Sequence, residues 1–219
     1  MINKIRPNMH DVLKQIPDGA RIMTSGFGIT GQAIELIEGL LDLGTRNLTI
    51  INNNAASSDR GLTRLLAEGR VSKMICSFPK TNNSNVFEDL YRQGKIELEL
   101  VPQGNLACRI QAAGAGLGAI FTPTGYGTAL AEGKETRQIN GKNYVLEYPI
   151  EADFALICAH QADRWGNLTY RKTARNFGPI MAKAAKTTIV QVKQLCELGE
   201  LDPESVITPG IFVQHVIKV

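Results

Sequence analysis

Apolar and polar positions alternate along the chain with two different periods, and the switches between them predict the order of elements. Apolar runs of strand length occur at residues 21–24, 48–51, 71–76, 96–101 and 119–121. Between them apolar residues recur at helical spacing. Ile34, Leu36, Ile37, Leu40 and Leu41 carry one amphipathic stretch, and residues 61–66, 86–91 and 106–113 read as further helices. Gly44, Gly69 and Gly94 stand just beyond three of these stretches, where glycine ends a helix at least cost. A short helix over residues 10–16 and a Pro17-Asp18-Gly19 turn come first. Strands that alternate with helices across short loops predict an α/β fold, a mostly parallel sheet flanked by helices.

The pattern changes after Phe121. Residues 122–128 read as loop, and Asn140-Gly141 separates two short polar-apolar runs, 136–139 and 143–147. Asn-Gly at that position predicts a β-hairpin. Residues 154–158 and 187–192 read as buried strands, with a polar loop around Asp163, Arg164 and Trp165 between them. No repeat, low-complexity segment or linker interrupts the chain, so a single domain over residues 1–219 with a β-hairpin excursion is the simplest account.

Composition narrows the function classes. Apolar residues make up 43% and charged residues 21% of 219 positions, and the net charge is +3 with both signs interspersed. That is too mixed for a nucleic-acid surface but suits an anionic small ligand. No apolar run approaches the roughly 20 residues of a membrane helix, and the first residues lack the apolar core of a signal peptide. Cys76, Cys108, Cys158 and Cys196 are widely spaced, and His10, His160 and His215 show no ligand spacing. Buried thiols in a reducing cytoplasm, with no metal site, follow from that pattern.

Candidate chemistry gathers where the predicted strands end, because ligands of open α/β sheets sit at the carboxyl ends of the strands. Those ends carry Ser25-Gly26-Phe27-Gly28-Ile29-Thr30-Gly31, Asn52-Asn53-Asn54, Ser77 to Lys80, and Pro102-Gln103-Gly104-Asn105. A glycine-rich turn that feeds a helix offers close backbone approach and a ready anion site. Read literally, residues 26–31 are G-x-G-x-x-G, the nicotinamide-dinucleotide pattern. That reading needs an acid roughly 20 residues on, at the end of the second strand, where this chain has three asparagines. A P-loop and a serine nucleophile elbow both lack their residues. Among the acids, Glu132 follows a glycine-rich loop and could be catalytic, but an exposed carboxylate or a pair with Lys134 is the favoured account. Asp163 beside Arg164 reads as a structural pair in a tight loop. Gln103 directly follows a strand, where a neutral side-chain N–H would serve an oxyanion; the alternative is an ordinary turn residue.

Residues 18–27 together with Gly31 resemble the signature of family I CoA-transferases in their α (A) subunit, and Val101-Pro102-Gln103-Gly104-Asn105-Leu106 is similar to that family's second landmark. The resemblance spans essentially the whole chain. It is nearest to members acting on 3-oxoadipate, through residues 123–128, 131–135, 163–172 and 174–181. The chain departs from the family at Ser25, where glycine is usual, and at Ala33, where proline is usual. Ser25 would be strained if its φ were positive.

The resemblance implies a subunit that moves CoA between carboxylic acids, with a CoA thioester as substrate and no permanently bound cofactor. It implies that a glutamate of the β subunit is the nucleophile, passing through an anhydride to a glutamyl-CoA thioester. This chain lacks the β subunit's Ser-Glu-Asn-Gly type sequence, so no glutamate here is assigned that role. Residues 25–31 would contact CoA, Gln103 would donate to the oxyanion, and an α2β2 assembly would result. Succinyl-CoA would be the donor and 3-oxoadipate the acceptor, with acetoacetate or another short acid as the alternative acceptor. A far carboxylate would need a cation, and Lys80, Arg109, Arg164 and Arg171 are the candidates. From other classes, a nicotinamide-binding oxidoreductase or a non-catalytic binding module for CoA or a sugar phosphate remain as alternatives.

Overall fold

The structure is a computed structural model that describes residues 2–55, 58–80 and 84–219. Its first part runs α1 (Met9–Leu13), β1 (Arg21–Thr24), α2 (Ile34–Asp42), β2 (Leu48–Ile51), α3 (Leu62–Ala67), β3 (Val71–Cys76), α4 (Val86–Arg92), β4 (Glu97–Leu100) and α5 (Gln103–Gly114). A three-strand excursion follows, made of β5 (Ile120–Thr122), β6 (Thr136–Ile139) and β7 (Lys142–Glu147). The chain then re-enters the main sheet with β8 (Ala152–Asp163), β9 (Leu168–Thr169), α6 (Gly178–Ala184), β10 (Ala185–Cys196) and β11 (His215–Lys218).

The main sheet has the order β11-β10-β8-β1-β2-β3-β4, with β9 pairing antiparallel to β8. Every neighbour along that order is parallel. Successive residues of each strand face opposite sides, and the packing follows that rule. Ile22, Ile50, Met74, Leu156 and Ile189 pack against α1 to α4 on one face. Their neighbours Met23, Ile51, Ile75, Ile157 and Val190 pack against α5 and α6 on the other. The result is a three-layer α/β/α arrangement. The chain leaves β1 toward β2 on one side and later returns to β8 on the other. β1 is therefore the switch point of the sheet, where the connections diverge and a crevice opens at the carboxyl ends.

Three sequence expectations need correction. The strand read at residues 119–121 does not extend the parallel sheet, because β5 pairs antiparallel with β7 in a separate sheet of order β5-β7-β6. A three-residue apolar run specifies a strand but not its neighbours. The helix read from Leu106 begins at Gln103, with Pro102 as its N-cap residue. β8 and β10 are twelve residues each and stay paired from Ala152/Ala185 to Asp163/Cys196. The polar residues His160, Gln161, Lys193 and Gln194 had cut the apolar runs short. The hairpin expectation holds: Asn140 and Gly141 have φ of 51° and 76°, and Ile139 pairs with Lys142.

The excursion is tethered through one buried carboxylate. Glu147 is 4% exposed; it accepts from Lys134 Nζ at 2.7 Å and lies 3.7 Å from Arg109. Asn105 Nδ2 also reaches it at 3.5 Å. A buried carboxylate needs such partners, and its removal leaves the cations uncompensated. Arg109 keeps a second acid, Glu99, at 3.2 Å. Glu147→Ala should therefore lower the unfolding free energy by about 3 kcal/mol, the low end for breaking a buried pair. Urea titration of wild type and variant reads that difference, and a change under about 1 kcal/mol, within reach of an ordinary surface pair, would show that the tether is not structural.

Candidate active site

Four strand ends meet in one hydrogen-bond chain. At the end of β2, Asn52 Nδ2 donates to Thr24 O at 2.6 Å and to Thr24 Oγ1 at 2.8 Å, which ties β2 to the end of β1. Asn52 Oδ1 accepts from Asn54 N at 2.8 Å. Asn54 Oδ1 accepts from Gly28 N at 2.9 Å and from Asn53 Nδ2 at 2.8 Å. Asn53 Oδ1 in turn accepts from Gln103 Nε2 at 2.9 Å and from Ser77 Oγ at 3.2 Å. Thr24, Ser25, Asn52 and Asn53 are almost wholly buried, so each needs these partners to offset desolvation. The glycine loop, the asparagine run, the end of β3 and the start of α5 thus form one edge, as the strand-end argument anticipated.

Most of the loop's N–H groups are bonded within the protein, which narrows the anion site that its glycines suggested. Gly26, Gly28 and Gly31 have φ of 129°, 60° and 76°. Phe27 N donates to Thr30 O at 3.0 Å and Thr30 N to Phe27 O at 3.3 Å, closing a tight projecting turn. Gly26 N donates to Asn176 Oδ1, Gly28 N to Asn54 Oδ1 and Gln32 N to Ile29 O. α2 starts only at Ile34, and the N–H of Leu36 in its first turn is taken by Gln191 Oε1 at 3.1 Å. These N–H groups are already spent. The loop offers a fixed shape, two exposed apolar side chains, Phe27 and Ile29, and, among the described residues, only the N–H groups of Ile29 and Gly31 without a protein acceptor.

The two family departures are accommodated. Ser25 is not among the residues with positive φ, so it carries no strain. Its Oγ donates to Gly31 O at 2.6 Å and accepts from Cys158 N at 2.9 Å, clamping both ends of the loop to β8. Ala33 is a fully buried N-cap residue without a side-chain cap bond.

Gln103 is exposed, in the first turn of α5. An amide nitrogen carries two N–H groups. Asn53 takes one of them and so orients the other. The remaining candidates separate. Glu132 is exposed, and Lys134 pairs with Glu147 instead of with it. Asp163 accepts from Trp165 N, Asn167 N and Asn167 Nδ2, so its structural partner is the loop itself and not Arg164. Arg109 is held by Glu99 and Glu147, and Lys80 lies 3.7 Å from Glu88. Arg171 alone among the proposed cations lines a cavity shared with the glycine loop.

That cavity brings in a turn that the sequence had not singled out as a site. Asn176 Nδ2 donates to Thr30 O at 2.9 Å and to Thr173 O at 3.0 Å, while its Oδ1 accepts from Gly26 N at 3.2 Å. A Cβ on Gly31 would meet Ala174 O at 2.4 Å, so this position must be glycine for the turn to seat. Arg171, Lys172 and Arg175 lie on the turn, and three cations within five residues was the available signal. The Cys158 thiol in the same cavity is held above its usual value by burial and then by the Glu35 charge. It stays protonated and is no nucleophile at neutral pH.

Comparison with known proteins fits this geometry. The coenzyme A transferase family model matches residues 6–219. The chain belongs to the coenzyme A transferase family. It is 64% identical over all 219 residues to the A subunit of a 3-oxoadipate CoA-transferase from Acinetobacter baylyi, covering 96% of that protein. It is also 64% identical over its whole length to the protein of the same name from Pseudomonas putida, covering 95% of it. Among solved structures, an acyl-CoA transferase from E. coli O157:H7 in a thioester complex with CoA superposes with a TM-score of 0.88 at 26% identity. All of this chain is covered in that match, and it spans 50% of the other. No helix of the described CoA-transferase chain is long and apolar enough to cross a membrane. Among the described residues no group of His, Cys, Asp or Glu is arranged to hold a metal.

Ser25→Ala should cost this transferase chain about 2 kcal/mol, because the half-buried N–H of Cys158 and the carbonyl of Gly31 both lose their partner. Denaturant titration tests it, and a change below about 0.5 kcal/mol, the scatter of a surface substitution, would remove the clamp. Gly31→Ala should separate the loop from the 171–176 turn. Faster proteolysis in that turn than in wild type is the expected readout, and an unchanged pattern would count against the fit.

Proposed function

We propose that this chain is the A-type half of a CoA-transferase that takes 3-oxoadipate as acceptor and succinyl-CoA as donor. The observation that carries the substrate is the 64% identity over the whole chain to two proteins that bear the 3-oxoadipate name. Those relatives are named as subunits, and on this reading the working enzyme is a heterotetramer that pairs this chain with a B-type partner.

The division of labour implied by the family resemblance is supported by what the site contains. Acyl transfer between carboxylates needs a nucleophile, and the edge described here is built from amides, glycines and hydroxyls. The nucleophilic glutamate belongs to the partner. It attacks the thioester carbonyl, expels CoA thiolate and forms a mixed anhydride. The thiolate then attacks the glutamyl carbonyl of that anhydride, releasing succinate and leaving a glutamyl-CoA thioester. 3-Oxoadipate repeats the two steps in reverse order. Each step passes through a tetrahedral oxyanion, and the free N–H of Gln103, aimed by Asn53, donates to it. Residues 25–31 form the wall beside which CoA lies. Gly26 and Gly28 let the backbone come close, and Phe27 and Ile29 supply apolar contact.

In the assembled enzyme Gln103→Ala should lower kcat by about 10²–10³, the usual effect of one lost oxyanion donor, with the protein still folded. Retention of wild-type turnover would remove Gln103 from the mechanism. Assay of this chain alone and with its B-type partner, using succinyl-CoA and 3-oxoadipate, tests the whole reading. Activity is expected only in the mixture, and turnover by this chain alone would mean that the nucleophile lies here, with Glu132 the first residue to mutate.

A further inference from the structure

Most N–H groups of the proposed CoA wall are bonded internally, and among the described residues only those of Ile29 and Gly31 lack a protein acceptor. The N–H groups of Gly26, Phe27, Gly28, Thr30 and Gln32 all have protein acceptors. CoA carries a 3′-phosphate and a pyrophosphate, more charge than two backbone N–H groups can meet, so side chains must meet most of it.

The side chains that border the loop are cationic and unpaired. Arg171, Lys172 and Lys193 line one cavity of about 360 Å³ together with Thr30 and Gly31. Lys172 and Arg175 line an adjoining cavity of about 640 Å³ together with Phe27 and Thr30. All four cations are exposed. None of them takes part in an ion pair among the described residues, whereas twelve of the other twenty lysines and arginines do. The nearby Glu35 carboxylate is bonded to Gln191.

The turn that carries three of these cations is also rigidly built. Lys172 has φ of 51°, a conformation uncommon outside glycine and held only where surrounding structure enforces it. Asn176 supplies that enforcement by bonding both the turn and the glycine loop. A strained, anchored turn that holds unpaired cations beside a ligand wall is arranged for an anion.

We propose that Arg171, Lys172, Arg175 and Lys193 form the phosphate-binding rim of the CoA site on this chain. The inference rests on the reading that the chain contacts CoA. Exposure and charge favour phosphate over the far carboxylate of the acceptor. Four solvent-facing cations suit a polyanion at the mouth of a site, whereas on this reading the acyl group lies toward the oxyanion donor Gln103. Arg171 is thereby assigned to CoA and not to the acid.

The test is calorimetric titration of the assembled two-subunit enzyme with CoA, 3′-dephospho-CoA and 3-oxoadipate. The wild-type complex should bind CoA, more weakly as salt rises. The triple variant Arg171→Gln, Lys172→Gln, Arg175→Gln should bind CoA about tenfold more weakly, the sum of three exposed charge contacts. Its affinity for 3′-dephospho-CoA should fall less, and its affinity for 3-oxoadipate should not change. The charge-keeping variant Arg171→Lys, Arg175→Lys should stay near wild type, which separates charge from folding. Wild-type CoA affinity in the triple variant overturns the proposal. So does a loss confined to 3-oxoadipate, which would give the cluster to the acceptor. A wild-type complex that does not bind CoA at all overturns the underlying reading, and that is seen before any variant is compared.

Discussion

A polar side chain out of reach of water must find its partners inside the protein, and that requirement organises the carboxyl edge of this sheet. Asn52, Asn53, Thr24 and Ser25 sit there with almost no exposure. Each amide closes a bond to a different element: Asn52 to β1, Asn53 to α5 and the end of β3, Asn54 to the glycine loop. Four segments that are distant in sequence are thus held in one register by side-chain hydrogen bonds. A half-satisfied network of this kind would be worse than an apolar core. A change at any one amide is therefore felt at the others.

The same economy links the edge to the excursion. α5 carries Gln103 in its first turn, and two residues on, Asn105 bonds Thr122, Thr124 and Glu147. One turn further, Arg109 bonds Tyr148 O and Glu99. The helix that presents the amide is therefore pinned at its base by the small antiparallel sheet. That sheet buries little of its own, with Val145 and Glu147 its well-covered positions, and three short strands need such packing to be stable. The excursion and the amide position support each other.

Much of this was legible in the sequence because the physics was local. β1 to β4 and the helices between them follow apolar periodicity, and glycines with positive φ stand where helices end. Gln103 was visible from its position after a strand, between proline and glycine. What escaped was non-local. The partners of Asn176 in the glycine loop lie 146 and 150 residues away, and no spacing rule reaches that far. α6 was missed because small residues and Gly178-Pro179 hide its period; its glycine is needed where a Cβ would meet the Tyr170 ring at 2.9 Å. β11 has two buried apolar residues, Val216 and Ile217, between His215 and Lys218, too few to register alone. The anion site suggested by the glycines is narrowed for a related reason. Sequence reveals where N–H groups are exposed by a turn, but not that Asn54 and Asn176 arrive to take them.

On the proposed reading, the neutrality of Gln103 is itself part of the chemistry. Both acids are anionic before and after the reaction, and the charge that distinguishes the transition state is the one developing on the carbonyl oxygen. A lysine or arginine at that position would bind substrate and product carboxylates as tightly as the tetrahedral oxyanion, and uniform binding does not raise kcat. A neutral N–H, aimed by Asn53 and costing no reorganisation, favours the oxyanion selectively. The cations stand instead on the 171–175 turn, away from the reacting carbon. There they can hold the unreactive end of the thioester through every step, where uniform binding is what the ping-pong sequence requires.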